Sequence, residues 1–191
     1  MPVFSDDIYE NQSFIALELE HDLEGIEFDT CVFKNASFQS RRFVECSFDG
    51  CEFVKCNLSL VEIVHTSIVD AKFIDCKMIG ISWGAISGIL SASYEGCILN
   101  NNIFADMNLT KFAFTSCTFV DASFYNTKLN NAVFSDCDMK NCQFSQTDLS
   151  CADFTTSKNY YMNATTNTLH KAKFSLPEAV SLLGNLDIEL T

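Results

Sequence analysis

The chain has 191 residues, enough for one domain with a hydrophobic core, and it carries a formal net charge of -13. It contains no run of about 18 apolar residues, which excludes a membrane-spanning helix, and its acidic start lacks the pattern of a secretory signal peptide. We therefore expect a cytoplasmic protein that binds neither membranes nor, with this excess of negative charge, nucleic acid directly.

Large apolar residues recur every five residues, a period that belongs neither to a helix nor to a strand. The pattern holds at thirteen consecutive positions from Leu23 to Trp83 and at thirteen more from Tyr94 to Phe154. The residue two places before each of them is mostly small, and the residues between are mostly polar. Each pentapeptide therefore turns one large and one small group inward and polar groups outward, as in a stacked repeat.

Residues 46–50, 122–126 and 147–151 read Cys-Ser-Phe-Asp-Gly, Ala-Ser-Phe-Tyr-Asn and Thr-Asp-Leu-Ser-Cys. They resemble the pentapeptide repeat family, in which a small residue, a polar residue and Leu or Phe are followed by two mostly polar residues. The resemblance implies an all-β fold, a right-handed quadrilateral β-helix with four pentapeptides in each coil. Its coils are expected to stack at the ~4.8 Å spacing of paired strands and to bury one continuous core.

In chain order, residues 1–22 are predicted to form an acidic N-terminal cap, because the spacing slips from five to four between Leu19 and Leu23. Residues 1–29 hold nine acids and neither Lys nor Arg. The end of a β-helix exposes unpaired strand edges, and charge is one device that protects such an edge.

Residues 23–83 form a first repeat block whose acids lie on one side. With four pentapeptides per coil, the side that contains Phe28, Phe48 and Ile68 carries acids and no base. These acids are Glu27, Asp29, Asp49 and Asp70. Two interpretations stay open: a solvated surface that keeps the protein soluble, or a partner-binding surface that competes with DNA phosphate for a basic protein.

Residues 84–93 interrupt the period. Eleven residues separate Trp83 from Tyr94, which is two pentapeptides plus one residue. Gly84 and Gly88 within this segment indicate a bulge or a hinge rather than a long loop.

Residues 94–174 form a second repeat block. Its acids are spread over several sides and are mixed with lysines, so the acidic side of the first block does not clearly continue. The five-residue period fails at Asn159 and Ala164 and returns at Leu169 and Phe174.

Residues 175–191 are predicted to form a short helix and a terminal strand. A capping box from Ser175 to Glu178 favours the helix, and alternating apolar residues favour the strand. The segment fits a terminal cap or a self-complementary patch of a two-fold dimer, and we expect it to serve as both. The apolar residues of the predicted dimer patch are Ala179, Val180, Leu182, Leu183, Leu186, Ile188 and Leu190.

Nine of the ten cysteines fall at the small inward position, which favours a role in the core over disulfides or metal ligands. Cys151 is the exception and is predicted to be an exposed thiol. The chain contains no recognisable catalytic or phosphate-binding motif. We therefore expect no enzymatic activity, no metal and no cofactor.

Three features are similar to the topoisomerase-protecting branch of the pentapeptide repeat family, which includes the Qnr, MfpA and McbG types. They are the Phe-rich coils, the break flanked by residues 80–83 and 90–94, and the Leu-Leu-Gly-Asn-Leu-Asp-Ile segment at 182–188. The resemblance implies a homodimer, paired through its C-terminus, that binds DNA gyrase or topoisomerase IV by DNA mimicry and protects it from a toxin or drug. The alternative is a scaffold or regulator with a different protein partner, because a fold alone does not specify a partner.

Overall fold

The computed structural model describes residues 4–86 and 90–185. It confirms the predicted fold, a four-sided solenoid in which short strands pair in parallel across successive coils. The strands are β1 (Ile8–Glu10), β2 (Ser13–Ile15), β3 (Leu23–Glu24), β4 (Glu27–Asp29), β5 (Val32–Lys34), β6 (Arg42–Val44), β7 (Ser47–Asp49), β8 (Glu52–Val54), β9 (Glu62–Val64), β10 (Ser67–Ile74), β11 (Leu90–Glu95), β12 (Ile103–Ala105), β13 (Ala113–Thr115), β14 (Ser123–Tyr125), β15 (Val133–Ser135) and β16 (Gln143–Ser145). Two short 3₁₀ helices cover Trp83–Ala85 and Glu178–Asn185.

Each face of the solenoid is identified by the column of large residues that it turns inward. Face 1 contains Tyr9, Phe28, Phe48, Ile68, Leu90, Leu109, Leu129, Leu149 and Leu169. Face 2 contains Phe14, Phe33, Phe53, Phe73, Tyr94, Phe114, Phe134, Phe154 and Phe174. Face 3 contains Leu19, Phe38, Leu58, Met78, Leu99, Phe119 and Met139, and face 4 contains Leu23, Phe43, Ile63, Trp83, Phe104, Phe124 and Phe144.

The corner after each face is made by the residue two places beyond the large inward one. This residue has a positive φ at nearly every corner, for example 49° at Asp70, 66° at Lys111 and 49° at Asn126. The left-handed conformation turns the chain sharply, and glycine, asparagine and aspartate adopt it most readily. The five-residue period is therefore the length of one short strand plus one such corner.

The coils do not all have the same length. Most paired residues are twenty apart, as Ile98 and Thr118 are, but Ser13 pairs with Val32 and Lys77 pairs with Ile98. The first coil is thus one residue shorter than the others, and the coil that contains the break is one residue longer. The pairing of β10 with β11 shifts register at the break, after Ile68.

The N-terminal segment forms part of the solenoid from β1 onward, since β1 pairs with β4 and β2 pairs with β5. The ring of Phe4 closes this end of the core. Its centroid lies 5.2 Å from those of Tyr9, Phe14 and Phe28, in an edge-on arrangement with each. Protection of this end by the surrounding acids stays a prediction.

Nine aromatic rings stack in one column on face 2, from Phe14 to Phe174. The centroids of neighbouring rings lie between 4.8 and 5.5 Å apart. This spacing follows the distance between paired strands, so the backbone register places each ring over the next one. The column contains only one hydroxyl, that of Tyr94 near its middle.

Two polar groups at the break are buried without a hydrogen-bond partner in the part of the chain that the structure describes. They are the hydroxyl of Tyr94 and the indole N–H of Trp83, whose rings meet edge-on with centroids 6.1 Å apart. Burial raises the pKa of Tyr94 well above its ordinary value. An unsatisfied buried donor destabilises a folded protein, so both groups lower the stability of the break region.

We expect Tyr94→Phe to stabilise the protein by about 1–3 kcal/mol, because the substitution removes the unpartnered hydroxyl and completes a column of Phe rings. Urea denaturation of both proteins measures the difference. Tyr160→Phe is the matched control, since the Tyr160 hydroxyl donates a hydrogen bond to the Ser175 carbonyl at 3.3 Å and its loss should destabilise. A less stable Tyr94→Phe protein would contradict the assignment.

The small inward column of face 3 consists largely of thiols. Cys56, Cys76, Cys97, Cys117 and Cys137 stack one above another, and each Sγ donates to a backbone carbonyl of the preceding coil at 3.2 to 3.6 Å. All nine inward cysteines are buried and all ten are free thiols. Cys151, predicted to be exposed, is half-buried at a corner.

The five-residue period of large inward residues ends near the C-terminal end of the solenoid. Tyr160 and Met162 fill the core after Phe154, while Asn159 turns outward with a φ of 60°. A shift of one residue thus keeps a large ring in the core where the five-residue spacing has a polar side chain.

The predicted capping box is wrong. The last helix begins at Glu178, and the Glu178 carboxylate accepts a hydrogen bond from the backbone N–H of Asn159 at 2.7 Å instead of closing back on Ser175. The carboxylate therefore joins the helix to the last coil. The predicted terminal strand at residues 186–190 lies outside the described residues.

Candidate partner-binding surface

The predicted acidic residues lie along the second, third and fourth coils of face 1. Glu27 and Asp29 project outward on either side of the buried Phe28 in β4, because side chains alternate along a strand. Asp29 pairs directly with Asp49 of β7 in the next coil. All three acids are exposed and lie on the same face.

Asp70 occupies the corner at the fourth coil, beside this row. Its φ of 49° places it at the turn after Ile68, and its carboxylate accepts a hydrogen bond from the Ser91 hydroxyl at 2.9 Å. This contact joins the fourth coil to the break segment and orients the carboxylate. The four predicted residues are thus brought to one side of the rod, while their role in binding stays a prediction.

Glu10 belongs to the same row and was not among the predicted site residues. β1 pairs with β4 so that Glu10 lies directly beside Asp29. The signal in the sequence was Tyr9, which lies nineteen residues before Phe28 instead of twenty. We call Glu10, Glu27, Asp29, Asp49 and Asp70 the acidic surface.

No base neutralises the acidic surface within residues 4–86 and 90–185. The ion pairs found there join Arg42 to Glu62, Lys158 to Asp138 and Lys173 to Asp153, all on other faces. Adjacent carboxylates at strand spacing repel one another, and binding of a cation or a basic partner relieves that repulsion.

Beyond the break the charge of face 1 changes sign. Lys111, Lys128 and Lys171 are exposed on this half, and we call them the basic surface. Two acids lie near them: Asp106, at the corner before Leu109, and Asp148, which line one depression together with Lys128. The Asp148 carboxylate accepts hydrogen bonds from Ser150 Oγ and from the side-chain amide of Asn130, both at 2.6 Å.

The predicted dimer patch is only partly within the described residues. Ala179, Leu182 and Leu183 are half-buried on the last helix, with Leu182 packed against the core, and Val180 is 41% exposed. Leu186, Ile188 and Leu190 lie outside the described part of the chain. The exposed apolar side chain that the helix offers to a partner is therefore Val180.

Over the described residues, the surface has shallow depressions rather than a site with converging reactive groups. The one beside the break, of about 390 Å³, has Asp106 as its titratable lining residue, and that carboxylate accepts a hydrogen bond from Asn126. Among the described residues, no three His, Cys, Asp or Glu side chains are placed to hold a metal ion, and no helix is long and apolar enough to cross a membrane.

Comparison with protein families decides the identity of the repeat. Residues 26–87 match the model of a pentapeptide repeat region, and residues 117–155 match the model of pentapeptide repeats in eight copies. The chain belongs to the pentapeptide repeat family. No protein of curated function matches its sequence at a significant level.

Two solved pentapeptide repeat structures illustrate the likeness. HetL, involved in heterocyst differentiation regulation in the cyanobacterium Nostoc sp. strain PCC 7120, is 13% identical, with a TM-score of 0.54 over 88% of this chain and 84% of HetL. Full-length QnrB1, a plasmid-mediated fluoroquinolone resistance protein, is 18% identical, with a TM-score of 0.44 over 95% of this chain and 100% of QnrB1. The likeness of this pentapeptide repeat protein to HetL concerns the fold alone.

Proposed function

We propose that this pentapeptide repeat protein is a non-enzymatic binding protein of the cytoplasm that engages a type II DNA topoisomerase, DNA gyrase or topoisomerase IV, and protects it from a toxin or drug. The observation that supports the proposal is the unneutralised acidic surface on face 1. The choice of a topoisomerase follows from the resemblance of the sequence to that branch of the family.

The spacing of the carboxylates suits a mimic of the DNA backbone. The acidic surface places five carboxylates on four coils, or about one negative charge for every 3.8 Å along the rod at the ~4.8 Å spacing of paired strands. One strand of DNA carries a phosphate about every 3.4 Å along the helix axis. A basic groove shaped for DNA therefore meets a similar charge density on the N-terminal half of this face.

The acidic surface ends at the break, so the proposed contact is confined to the first half of the rod. Lys111 and Lys128 on the second half repel a basic groove. We therefore expect the N-terminal half to enter the DNA-binding saddle and the C-terminal half to stay outside it.

A supercoiling assay tests the proposal. Purified protein is added to gyrase or to topoisomerase IV, with and without a quinolone or a peptide toxin, and we expect it to restore activity in the presence of one of these agents. Replacing Glu27, Asp29, Asp49 and Asp70 together by Gln or Asn should weaken protection about tenfold or more, since several charge contacts are lost at once. Raising the salt concentration should have the same effect on the unaltered protein.

The matched control removes four acidic charges from face 2 and leaves face 1 intact. The replaced residues are Glu52, Asp75, Glu95 and Asp136. Protection should then be preserved. Equal losses of protection in the two variants would show that the net charge of the protein matters and that the acidic surface does not. If the unaltered protein has no effect in any condition, the proposal of a topoisomerase partner is contradicted.

We further propose that two copies pair through their C-terminal helices. Val180→Asp places a charge on the exposed apolar position of the helix and should convert the dimer into a monomer in sedimentation equilibrium. Ser181 is unsuitable as a control, because its hydroxyl donates to the Tyr160 carbonyl. Leu176→Asp, at another exposed apolar position, is the appropriate one, and a mass unchanged in Val180→Asp would count against this pairing.

The second candidate is a scaffold or regulator with a different protein partner. It is favoured by exposed apolar residues on face 3, where Leu60 is 56% exposed and Ile98 is 39% exposed, and the half-buried Ile79 and Val120 lie on the same face. Several exposed apolar residues on one face mark a protein-binding surface more often than a single exposed apolar residue does. If Leu60→Asp abolishes the effect that the protein has in the cell while its protection of the topoisomerase is unchanged, this second candidate is favoured.

A further inference from the structure

The first strand of the solenoid, β1, is the terminal strand of its sheet and has one free side. In β4, the N–H of Glu27 donates to the Asp7 carbonyl of the coil before it at 2.8 Å. Ile8 is the partner of Glu27 in β1, and the two parallel strands present their backbone groups in the same directions. The Ile8 N–H therefore points out of the N-terminal end of the rod.

The carbonyl of Glu10 points the same way. Its partner in β4, Asp29, accepts a hydrogen bond from the Asn11 N–H of the coil before it at 2.9 Å. Across residues 4–86 and 90–185, neither the Ile8 N–H nor the Glu10 carbonyl has a hydrogen-bond partner. We call these two groups, with the exposed side chains of Ile8 and Glu10, the open edge. An extended segment laid against it repeats the bonds that hold β4 to β1.

The residues just before β1 cover the core. The backbone N–H groups of Ser5 and Asp6 donate to the Tyr9 hydroxyl at 2.7 and 2.9 Å, and the Phe4 ring packs edge-on against the Tyr9 ring. Phe4 thus fills core space beside Tyr9. A segment added at the open edge therefore needs a small residue at its inward position.

The charge around the open edge determines which kind of segment it suits. Within residues 4–29 all nine acids are exposed, and that range contains neither Lys nor Arg. Glu10 has Asp29 as its partner in the next coil. In β2, by contrast, the exposed Ile15 is the partner of Lys34. The free side of β1 therefore suits a basic segment better than the free side of β2 does.

We propose that the open edge binds an extended basic segment of a partner protein, which adds to the solenoid as one more strand. On its outward side the segment places an apolar residue beside Ile8, which is 58% exposed, and Lys or Arg beside Glu10. A small residue lies between them on the inward side. The order is apolar, small, basic, or the reverse if the segment runs antiparallel.

A second copy of this chain is a poorer occupant than a basic segment. Two copies paired through their open edges bring their Asp6, Asp7 and Glu10 side chains close together, and like charges repel. Residues 186–190, the predicted terminal strand, carry Asp187 and Glu189 and are disfavoured for the same reason. The acids therefore prevent the edge from pairing with its own kind and leave it open to a basic strand.

This binding does not depend on the proposed topoisomerase, because its hydrogen-bonding groups and its charges belong to the end of the rod. It also differs in kind from the proposed contact of the acidic surface. Strand addition needs backbone hydrogen bonds, whereas a groove shaped for DNA responds to charge. Failure of one proposal therefore leaves the other standing.

A short peptide tests the proposal. The probe is acetylated and amidated Lys-Ala-Val-Ala-Lys, which presents the required order in either direction. Its binding to the whole chain is followed at low salt by NMR of the backbone amides, and we expect the Ile8 amide signal to shift and its hydrogen exchange to slow. Because hydrogen bonds at a solvated edge contribute little net free energy, the expected dissociation constant is on the order of 1 mM.

Two altered peptides separate hydrogen bonding from charge. The same peptide methylated on all its backbone nitrogens keeps its charges but cannot donate to the Glu10 carbonyl, and it should bind about fivefold more weakly or worse. Glu-Ala-Val-Ala-Glu keeps its hydrogen-bonding groups but carries the opposite charge, and it should weaken by about the same factor. If either altered peptide binds as well as the probe, the proposal is contradicted.

Ile8→Pro removes the outward N–H, and Ile8→Val is its matched control. Proline suits an edge position whose N–H points away from the sheet, so the fold should be kept. We expect Ile8→Pro to weaken binding of the probe about fivefold and Ile8→Val to leave it unchanged. Equal binding by the two variants, or a probe that shifts no signal of β1, would overturn the proposal. If Ile8→Pro does not fold, the methylated peptide decides the question on the unaltered protein.

The same variants test whether a second copy occupies the open edge. In a Val180→Asp background, which removes the proposed C-terminal pairing, sedimentation should show monomers whether residue 8 is Ile or Pro. A dimer that Ile8→Pro dissociates would identify a second copy as the occupant and would count against a basic partner.

Discussion

Phe114→Ala is expected to destabilise the protein by about 3–5 kcal/mol, as for other fully buried Phe residues cut back to Ala. Phe114 stacks between Tyr94 and Phe134 with centroid distances of 5.2 and 5.0 Å, so the substitution removes both stacking contacts and interrupts the aromatic column. Folded domains are stable by only about 5–15 kcal/mol, and the loss is therefore a large part of the total. Urea denaturation followed by circular dichroism measures it.

Phe114→Leu is the matched control for this prediction, because Leu fills the equivalent inward position on face 1 at Leu109, Leu129 and Leu149. We expect it to lose less than about 1.5 kcal/mol, since the volume is nearly conserved. Equal losses in the Ala and Leu variants would indicate that ring stacking, not filled volume, holds this position. A loss below 1 kcal/mol in the Ala variant, about the value of a surface substitution, would contradict the buried column.

Alkaline pH is expected to unfold the protein because of its buried thiols. Burial raises the pKa of Cys51 and of Cys142 from 9.0 to about 12. Between these values the unfolded chain releases protons that the folded chain retains, so the stabilisation is complete below pH 9 and is lost as the pH rises towards 12. At a pH of about 10.5 each thiol has lowered the free energy of unfolding by roughly 2 kcal/mol, and the two together by about 4 kcal/mol.

The measurement is the free energy of unfolding as a function of pH, compared between the parent and a Cys51→Ala, Cys142→Ala variant. Ala occupies equivalent inward positions at Ala71 and Ala122, so the substitutions suit the fold. The variant should lose about 4 kcal/mol less than the parent between about pH 8 and 10.5. Parallel curves would show that these thiols do not titrate with shifted values.

The sequence predicted correctly, for nearly every side chain of the repeats, whether it faces the core or the solvent. The five-residue period assigned Phe28, Phe33 and Phe38 to the core and nine cysteines to the small inward column, and all are buried. This succeeded because each pentapeptide builds one strand and one corner from its own residues, so the inward direction is a local property. The same locality let the sequence locate Glu27 and Asp29 on the outside, on either side of a core ring.

The period failed where a contact between distant residues determined the outcome. Glu178 was expected to cap its own helix but binds the backbone N–H of Asn159, nineteen residues earlier. Asn159 itself gave its core position to Tyr160, whose hydroxyl reaches the Ser175 carbonyl. Both outcomes depend on how the last coil meets the helix, and no local pattern contains that information.

What the sequence determined by itself is therefore the coil: its period, its corners, and which groups face in or out. What only the tertiary structure decided is which outward groups are neighbours. Glu10 lies beside Asp29 because the first coil is one residue shorter than the others. Asp70 accepts a hydrogen bond from Ser91 in the coil that is one residue longer than the others. Stacking fixes these register shifts through hydrogen bonds between coils, and it is the register that produces both the row of acids and the reversal of charge along face 1.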